Sequence, residues 1–277
     1  AVSGGIDSMC LLHLTAAWGA ERGIEVIAAH FHHGLRGETA DRDQDFVRTW
    51  CAGQGIPFVT KRGDTAQWAA SHGLTVEEAG RELRYAFLRE TARQKKAGLI
   101  LTAHHADDNA ETMLLNLCRG TGSGGLMGIP PRRGEIARPL IEVTRQEMEA
   151  YGEAFGIPHV EDETNASDFA ARNLLRHQVI PVLRRINPRA VENMSRTAAI
   201  VRQENEAVEA QVTGVLHQVC RDGEAVRLPV AALEQVPEAL RQRVFLELWK
   251  RMEIGRKDLG SVHLQQLSRM SEGSELH

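Results

Sequence analysis

Along its first half the chain alternates between two hydrophobic signatures. Short apolar runs at residues 24–31 (I-E-V-I-A-A-H-F) and 99–103, with a briefer one at 57–60, have the length of buried strands. Between them, apolar residues recur at three- and four-residue steps. Residues 9–17 form one such helical segment, and residues 40–54 another, with Phe46, Val47, Trp50 and Cys51 on one face. Residues 76–96 read as a long helix that Gly98 ends, and 107–119 as a helix capped by an acidic residue. Strands alternating with helices predict an α/β fold with a parallel sheet covered on both faces. In such sheets ligands sit beyond the carboxyl ends of the strands. The Gly-rich turn after Val2, His30, and the pair His104 and His105 all fall there.

After residue 186 the pattern changes. Val191, Met194, Ala198, Val201, Val208, Val212, Val215 and Val219 mark a long amphipathic helix, and shorter helices are expected near 238–251 and 258–270. The expected organisation is therefore an α/β domain over residues 1–185 and a smaller, mainly helical domain over 186–277.

Composition narrows the class. The 277 residues are 42% hydrophobic and 25% charged, as in an ordinary globular protein. No run approaches the roughly 18 apolar residues of a membrane span, and no signal peptide is evident, so a cytoplasmic protein is expected. Cys10, Cys51, Cys118 and Cys220 form no C-x-x-C pair and read as reduced thiols. The net charge of −4 argues weakly against nucleic acid. Yet residues 172–202 hold seven arginines and one acid, a local excess of +6. The sequence opens two residues before its most informative motif, and both ends are expected to be truncated.

That motif is S-G-G-I-D-S, residues Ser3, Gly4, Gly5, Ile6, Asp7 and Ser8. Two glycines let the backbone turn sharply against an anion, and the following helix offers free N–H groups and a positive dipole end. Asp7 would repel phosphate directly but suits a Mg²⁺ ion that bridges to phosphates. The loop lacks the G-x-x-x-x-G-K-[ST] pattern, which excludes a standard P-loop. Asp108 and Glu111 lie three apart, so their carboxylates share one helix face. They could grip a cation or act as a base, or simply offset the helix dipole. Arg84 could hold phosphates or pair with Glu82 or the neighbourhood of Glu90. Arg172 stands either against a nucleotide or on a solvated basic face.

S-G-G-I-D-S resembles the pyrophosphate loop of the N-type ATP pyrophosphatases, the PP-loop superfamily. Four further stretches resemble one member family, the tRNA(Ile)-lysidine synthases. They are H-F-H-H-G-L-R-G at 30–37 with A-D-R-D-Q-D-F-V at 40–47; A-G-R-E-L-R-Y-A-F-L at 79–88; T-A-H-H-A-D-D-N-A-E-T-M-L-L-N-L-C-R-G-T-G at 102–122; and E-D-E-T-N-A-S-D-F-A-A-R-N-L-L-R at 161–176. The resemblance spans residues 1 to about 188. It implies an adenine-nucleotide alpha-hydrolase-like, Rossmann-like domain that uses ATP and Mg²⁺. It implies a ligase in which the wobble cytidine of the C-A-U anticodon of tRNA(Ile) is adenylated at its 2-carbonyl oxygen. The side-chain amine of L-lysine then displaces AMP.

Carried onto this sequence, the resemblance assigns ATP binding to Ser3–Ser8, His30 and His104, and the metal to Asp7. It assigns catalysis to Asp7, Arg84, Asp108 and Glu111. Arg119, Arg172 and Arg176 would meet tRNA, and the Gly-rich stretch 120–125 either closes over the anticodon or is a surface connection. The family is often dimeric, so a homodimer is compatible. The family's first strand normally precedes the Gly loop, and only Ala1 and Val2 of it stand here. The rivals are a tRNA thiolase of the same superfamily, which would carry paired cysteines, a small-molecule amidating ligase, and a non-catalytic tRNA-binding module. That last would be expected to have lost Asp7, Asp108 or Glu111.

Overall fold

The computed structural model describes residues 1–35, 37–160, 170–222, 225–252 and 266–267. Its Cα atoms divide into two compact units, Ala1–Ala199 and Ile200–His277. The expected helix at 258–270 lies outside the described residues apart from 266–267, as do residues 161–169 of the fourth stretch.

The first unit is built on short parallel strands. Helix α1 (Ile6–Arg22) follows the Gly loop, then β1 (Ala28–His32), α2 (Glu38–Gly53), β2 (Phe58–Arg62), α3 (Thr65–His72) and α4 (Val76–Gln94). Next come β3 (Ile100–Leu101), α5 (Ala106–Cys118), the single turn α6 (Ser123–Leu126), β4 (Arg132–Arg133), β5 (Ile136–Ala137) and α7 (Arg145–Ala154). β1 and β2 pair in parallel from Ala28↔Phe58 to His32↔Arg62. β3 and β5 are also parallel, and β4 joins β5 antiparallel. Residues 1 and 2 link these two sheets: Val2 N donates to Ala29 O at 2.9 Å and Ala1 N to Leu101 O at 2.8 Å. The Gly loop therefore leaves the sheet from between β1 and β3, where a ligand crevice opens in such folds.

Alternation along β1 distributes the core over both faces. Ala28 packs with Met9, Cys10, Leu12, Val47, Cys51 and Met148 from α1, α2 and α7. Ala29 and Phe31 point the other way, onto Tyr85, Phe87 and Leu88 of α4 and Ile100 and Ile136 of the strands. Gly152 lets α7 lie close on α1, because a Cβ there would fall 2.5 Å from Ile6 Cδ1. A third cluster joins Ala106 and Ala110 of α5 to Ile180 and Val191. Those last residues belong to α9 (Ile180–Ile186) and α10 (Ala190–Leu216). Ahead of α9 run α8 (Ala170–Leu174) and a π-helical turn, Leu175–Val179.

Several expectations are refined. α4 stops at Gln94, two residues short of the expected Lys96, which takes the left-handed conformation (φ 54°) after a Lys95 cap. Its start is fixed by a capping box in which Thr75 and Glu78 bond reciprocally. α5 is preceded by His105 as N-cap, and the acidic contribution comes from Asp108, which reaches back to accept from His105 N at 3.1 Å. In the second unit, Val212, Val215 and Leu216 of α10 pack with α11 (Val230–Glu234) and α12 (Glu238–Arg251), and β6 (Cys220–Asp222) pairs with β7 (Ala225–Arg227). Among the described residues no helix is long and apolar enough to cross a membrane.

Candidate active site

The Gly loop is folded around one hydroxyl. Ser8 Oγ accepts from Ser3 N (3.1 Å) and Gly4 N (3.2 Å) and donates to Gly5 O (2.9 Å), while Ser3 Oγ lies 3.1 Å away. Gly4 has φ 105°, a left-handed conformation that disfavours any side chain, and a Cβ there would meet Val160 Cγ2 at 2.9 Å. The first helical bond of α1 runs from Met9 N to Gly5 O. The amides of the preceding turn therefore have no helical partner, which makes an anion cradle. Ile6 supplies only its backbone, since its side chain is core.

Asp7 opens from this loop toward α5. Its Oδ2 accepts from Arg145 Nη1 at 3.0 Å and lies 3.7 Å from His105 Nε2; its Oδ1 is buried with no partner. Burial raises the Asp7 pKa, against the lowering pull of His105 and Arg145. Consecutive acids on α5 then divide their work, because neighbouring helical residues point about 100° apart. Asp107 turns inward to structure, with Oδ2 accepting from Arg145 N (2.8 Å) and Oδ1 from Arg184 Nη2 (2.7 Å). Asp108 and Glu111 turn to one cation. Arg176 Nε donates to Glu111 Oε1 at 2.7 Å and Arg176 Nη2 to Asp108 Oδ1 at 3.3 Å. Glu111 is 1% exposed, its Oε2 is buried and unpartnered, and burial raises its pKa against the opposing Arg176. The arrangement sets an anion cradle beside a carboxylate pair, Glu111 buried and Asp108 partly exposed, with Asp7 between.

A phosphate-binding turn and an acidic cation site so placed have the makings of a nucleotide-activating enzyme. The sequence model of the PP-loop domain matches residues 1–183. The tRNA(Ile)-lysidine synthase of Petrotoga mobilis is 41% identical over 208 residues, which cover 75% of this chain and 67% of that relative. The chain belongs to the tRNA(Ile)-lysidine synthase family of PP-loop proteins. The corresponding enzymes of Caldanaerobacter subterraneus subsp. tengcongensis (36% over 250 residues) and Geobacter sulfurreducens (34% over 278 residues) match 90% and 98% of this chain. The chain spans 54% and 58% of their lengths. Among solved structures it resembles the U34-tRNA thiolase NcsA from Methanococcus maripaludis with its [4Fe-4S] cluster. The TM-score is 0.61 at 17% identity, covering 72% of this chain and 70% of that one, a likeness of fold alone.

Within this PP-loop framework the remaining expected residues fall in different places. His30 is buried beneath the loop, with Nδ1 2.9 Å from Val2 O, and burial lowers its pKa. His104 follows β3, with Nδ1 3.0 Å from Thr102 Oγ1. Burial is the main cause that brings its pKa down to about 4, helped by Arg138, Arg84 and Arg81 and opposed by Asp108. Arg84 is half-buried on α4, and burial lowers its pKa. It pairs with neither suggested glutamate: Glu90 holds Lys61 at 2.9 Å, and Glu82 accepts from Trp68 Nε1 at 3.2 Å. Arg119 follows the end of α5, and Arg172 is on α8, where Glu111 feels its charge. Arg176, expected against tRNA, lies on the carboxylate pair in this structure. His105 was expected only to line the ligand pocket, and Asp107, Arg145 and Arg184 were not singled out at all. H-H-A-D-D carried a signal for the first two, whereas no local motif marks the arginines that meet them.

Proposed function

We propose that this protein joins L-lysine to the wobble cytidine of tRNA(Ile) bearing a C-A-U anticodon, with ATP converted to AMP and pyrophosphate. The observation that carries this reading is the Asp108–Glu111 pair, its Glu111 buried and both carboxylates already engaged by a cation, beside the PP-loop. A small-molecule amidating ligase would leave the arginine-rich run at 172–202 without a purpose. A thiolase would use cysteines, and here Cys10 and Cys51 are buried in the core while Cys118 stands exposed on α5.

In the first half-reaction the cytidine 2-carbonyl oxygen attacks the α-phosphorus of ATP and pyrophosphate leaves. The turn amides of Gly5 to Ser8 would hold the departing phosphates. The half-buried Arg84 would face charge developing at the α-phosphoryl group. His104, neutral at physiological pH, can offer a hydrogen bond without adding charge. Mg²⁺ fits Asp7, whose buried Oδ1 has no protein partner and is a hard oxygen ligand. When bound there, the ion would supply neutralising charge to the phosphates.

In the second half-reaction lysine's amine attacks C2 of the cytidine and AMP departs with the oxygen. The amine is protonated in water, with a pKa near ~10.4. Asp108 and Glu111 would grip it as an ammonium, and Glu111, its pKa raised by burial, would take the proton. Asp108→Asn and Glu111→Gln should each lower lysine transfer at least about a hundredfold while ATP-dependent adenylation of the tRNA persists. Both half-reactions are followed with labelled lysine and labelled ATP. Lysine transfer at the parental rate in either variant would remove that residue from the mechanism.

A further inference from the structure

We propose that Arg176 occupies the amine site of the free protein and is exchanged for the ε-ammonium of lysine when substrate binds. This rests on the reading of Asp108 and Glu111 as the lysine site. One guanidinium spans both carboxylates, Nε on Glu111 and Nη2 on Asp108. The two sides of the pair are buried unequally: the Arg176 side chain is 43% exposed and that of Glu111 1%. Arg176 therefore reaches in from the solvent side and loses little by returning there. Glu111 would be left as an uncompensated buried carboxylate, which is costly, so the arginine leaves only as another cation arrives.

The donor count favours lysine as that cation. Arg176 satisfies Oε1 of Glu111 and leaves Oε2 buried and unpartnered. An ammonium carries three donors around a compact charge. It can serve Oε1, Oε2 and an Asp108 oxygen together, where the tethered guanidinium reaches one oxygen of each. Arg176 is also carried by the π-helical turn Leu175–Val179, a local irregularity common at functional sites and suited to re-aiming a side chain. Once released, its guanidinium stands one helical turn from Arg172 and is free to meet phosphate. Lysine binding and tRNA binding are then coupled, each strengthening the other by the same factor.

Titration calorimetry with L-lysine alone, on the full chain, tests the exchange. Arg176→Gln removes the internal competitor and should bind lysine about tenfold more tightly than the parent. Arg176→Lys keeps a tethered cation and should stay nearer the parent. Circular dichroism checks that both are folded. Unchanged or weaker lysine binding in Arg176→Gln overturns the exchange. A second measurement needs no variant: lysine should raise the parent's affinity for a C-A-U tRNA(Ile) transcript, and no change would also overturn it. Asp108→Asn separates this inference from the reading beneath it. Lysine binding retained in that variant removes the site assignment and the exchange together. Lysine binding lost there, with no tightening in Arg176→Gln, removes only the exchange.

Discussion

Asp107 and Asp108 are adjacent in sequence, yet one is tied to Arg145 and Arg184 and the other to Arg176. Which acid faced the site was not legible from D-D alone, because the answer depends on arginines 38 to 77 positions away in the chain. The positions of Asp7 and Glu111 were legible, since a helix start and a three-residue spacing fix them locally. His104 gives the residue scale a test. It stays neutral in the folded protein down to about pH 4, whereas an ordinary histidine takes its proton near 6.5. Between these values the unfolded chain binds more protons, so stability falls as pH drops from 6.5 toward 4. Asp7 and Glu111, whose pKa values are raised, contribute with the opposite sign, so the whole-protein slope mixes both. His104→Gln isolates the histidine. The variant should gain roughly 2–3 kcal/mol relative to the parent between pH 7 and 4.5. Denaturant titrations at the two pH values measure this, and a constant difference would contradict the burial of a neutral His104.

Among the elements, those with a wide apolar stripe or run were readable: α1, β1, α2, β2, the long α4, α5, α10 and α12. α3 and α7 were not, because each buries too little to show a stripe. Only Thr65 and Ala69 of α3 are buried, and only Met148 and Gly152 of α7. β4 and β5 are two residues each, too short for any alternation, and the single turn α6 is hidden in a Gly-rich stretch that composition reads as a connection. The π-helical turn that aims Arg176 has no sequence signature at all. At this scale the Gly loop makes the sharpest prediction. Gly4 holds a left-handed φ, and a Cβ would press on Val160. Gly4→Ala should cut pyrophosphate release at least about tenfold through a misplaced cradle, at a stability cost of about 1–3 kcal/mol. Steady-state pyrophosphate release and a melting curve together check it. Parental turnover in a folded Gly4→Ala would show that the turn's conformation does not matter.

For the molecule as a whole, an acidic chain concentrates its positive charge locally. The net charge is −4, while residues 172–202 hold seven arginines. The structure commits Arg176 and Arg184 of that set to Glu111, Asp108 and Asp107, so part of the run builds the carboxylate site itself. An α/β unit followed by a mainly helical one followed from strand–helix alternation and the later change of period, whereas the β6–β7 pairing did not. The central claim is that the PP-loop's ATP chemistry ends in lysine transfer. Its most direct test incubates the protein with ATP, Mg²⁺, labelled lysine and tRNA(Ile) with a C-A-U anticodon, alongside the methionine tRNA that shares this anticodon. The account predicts label in the isoleucine tRNA alone, with one pyrophosphate released per lysine joined. Pyrophosphate release with no lysine incorporated into tRNA(Ile) would contradict it.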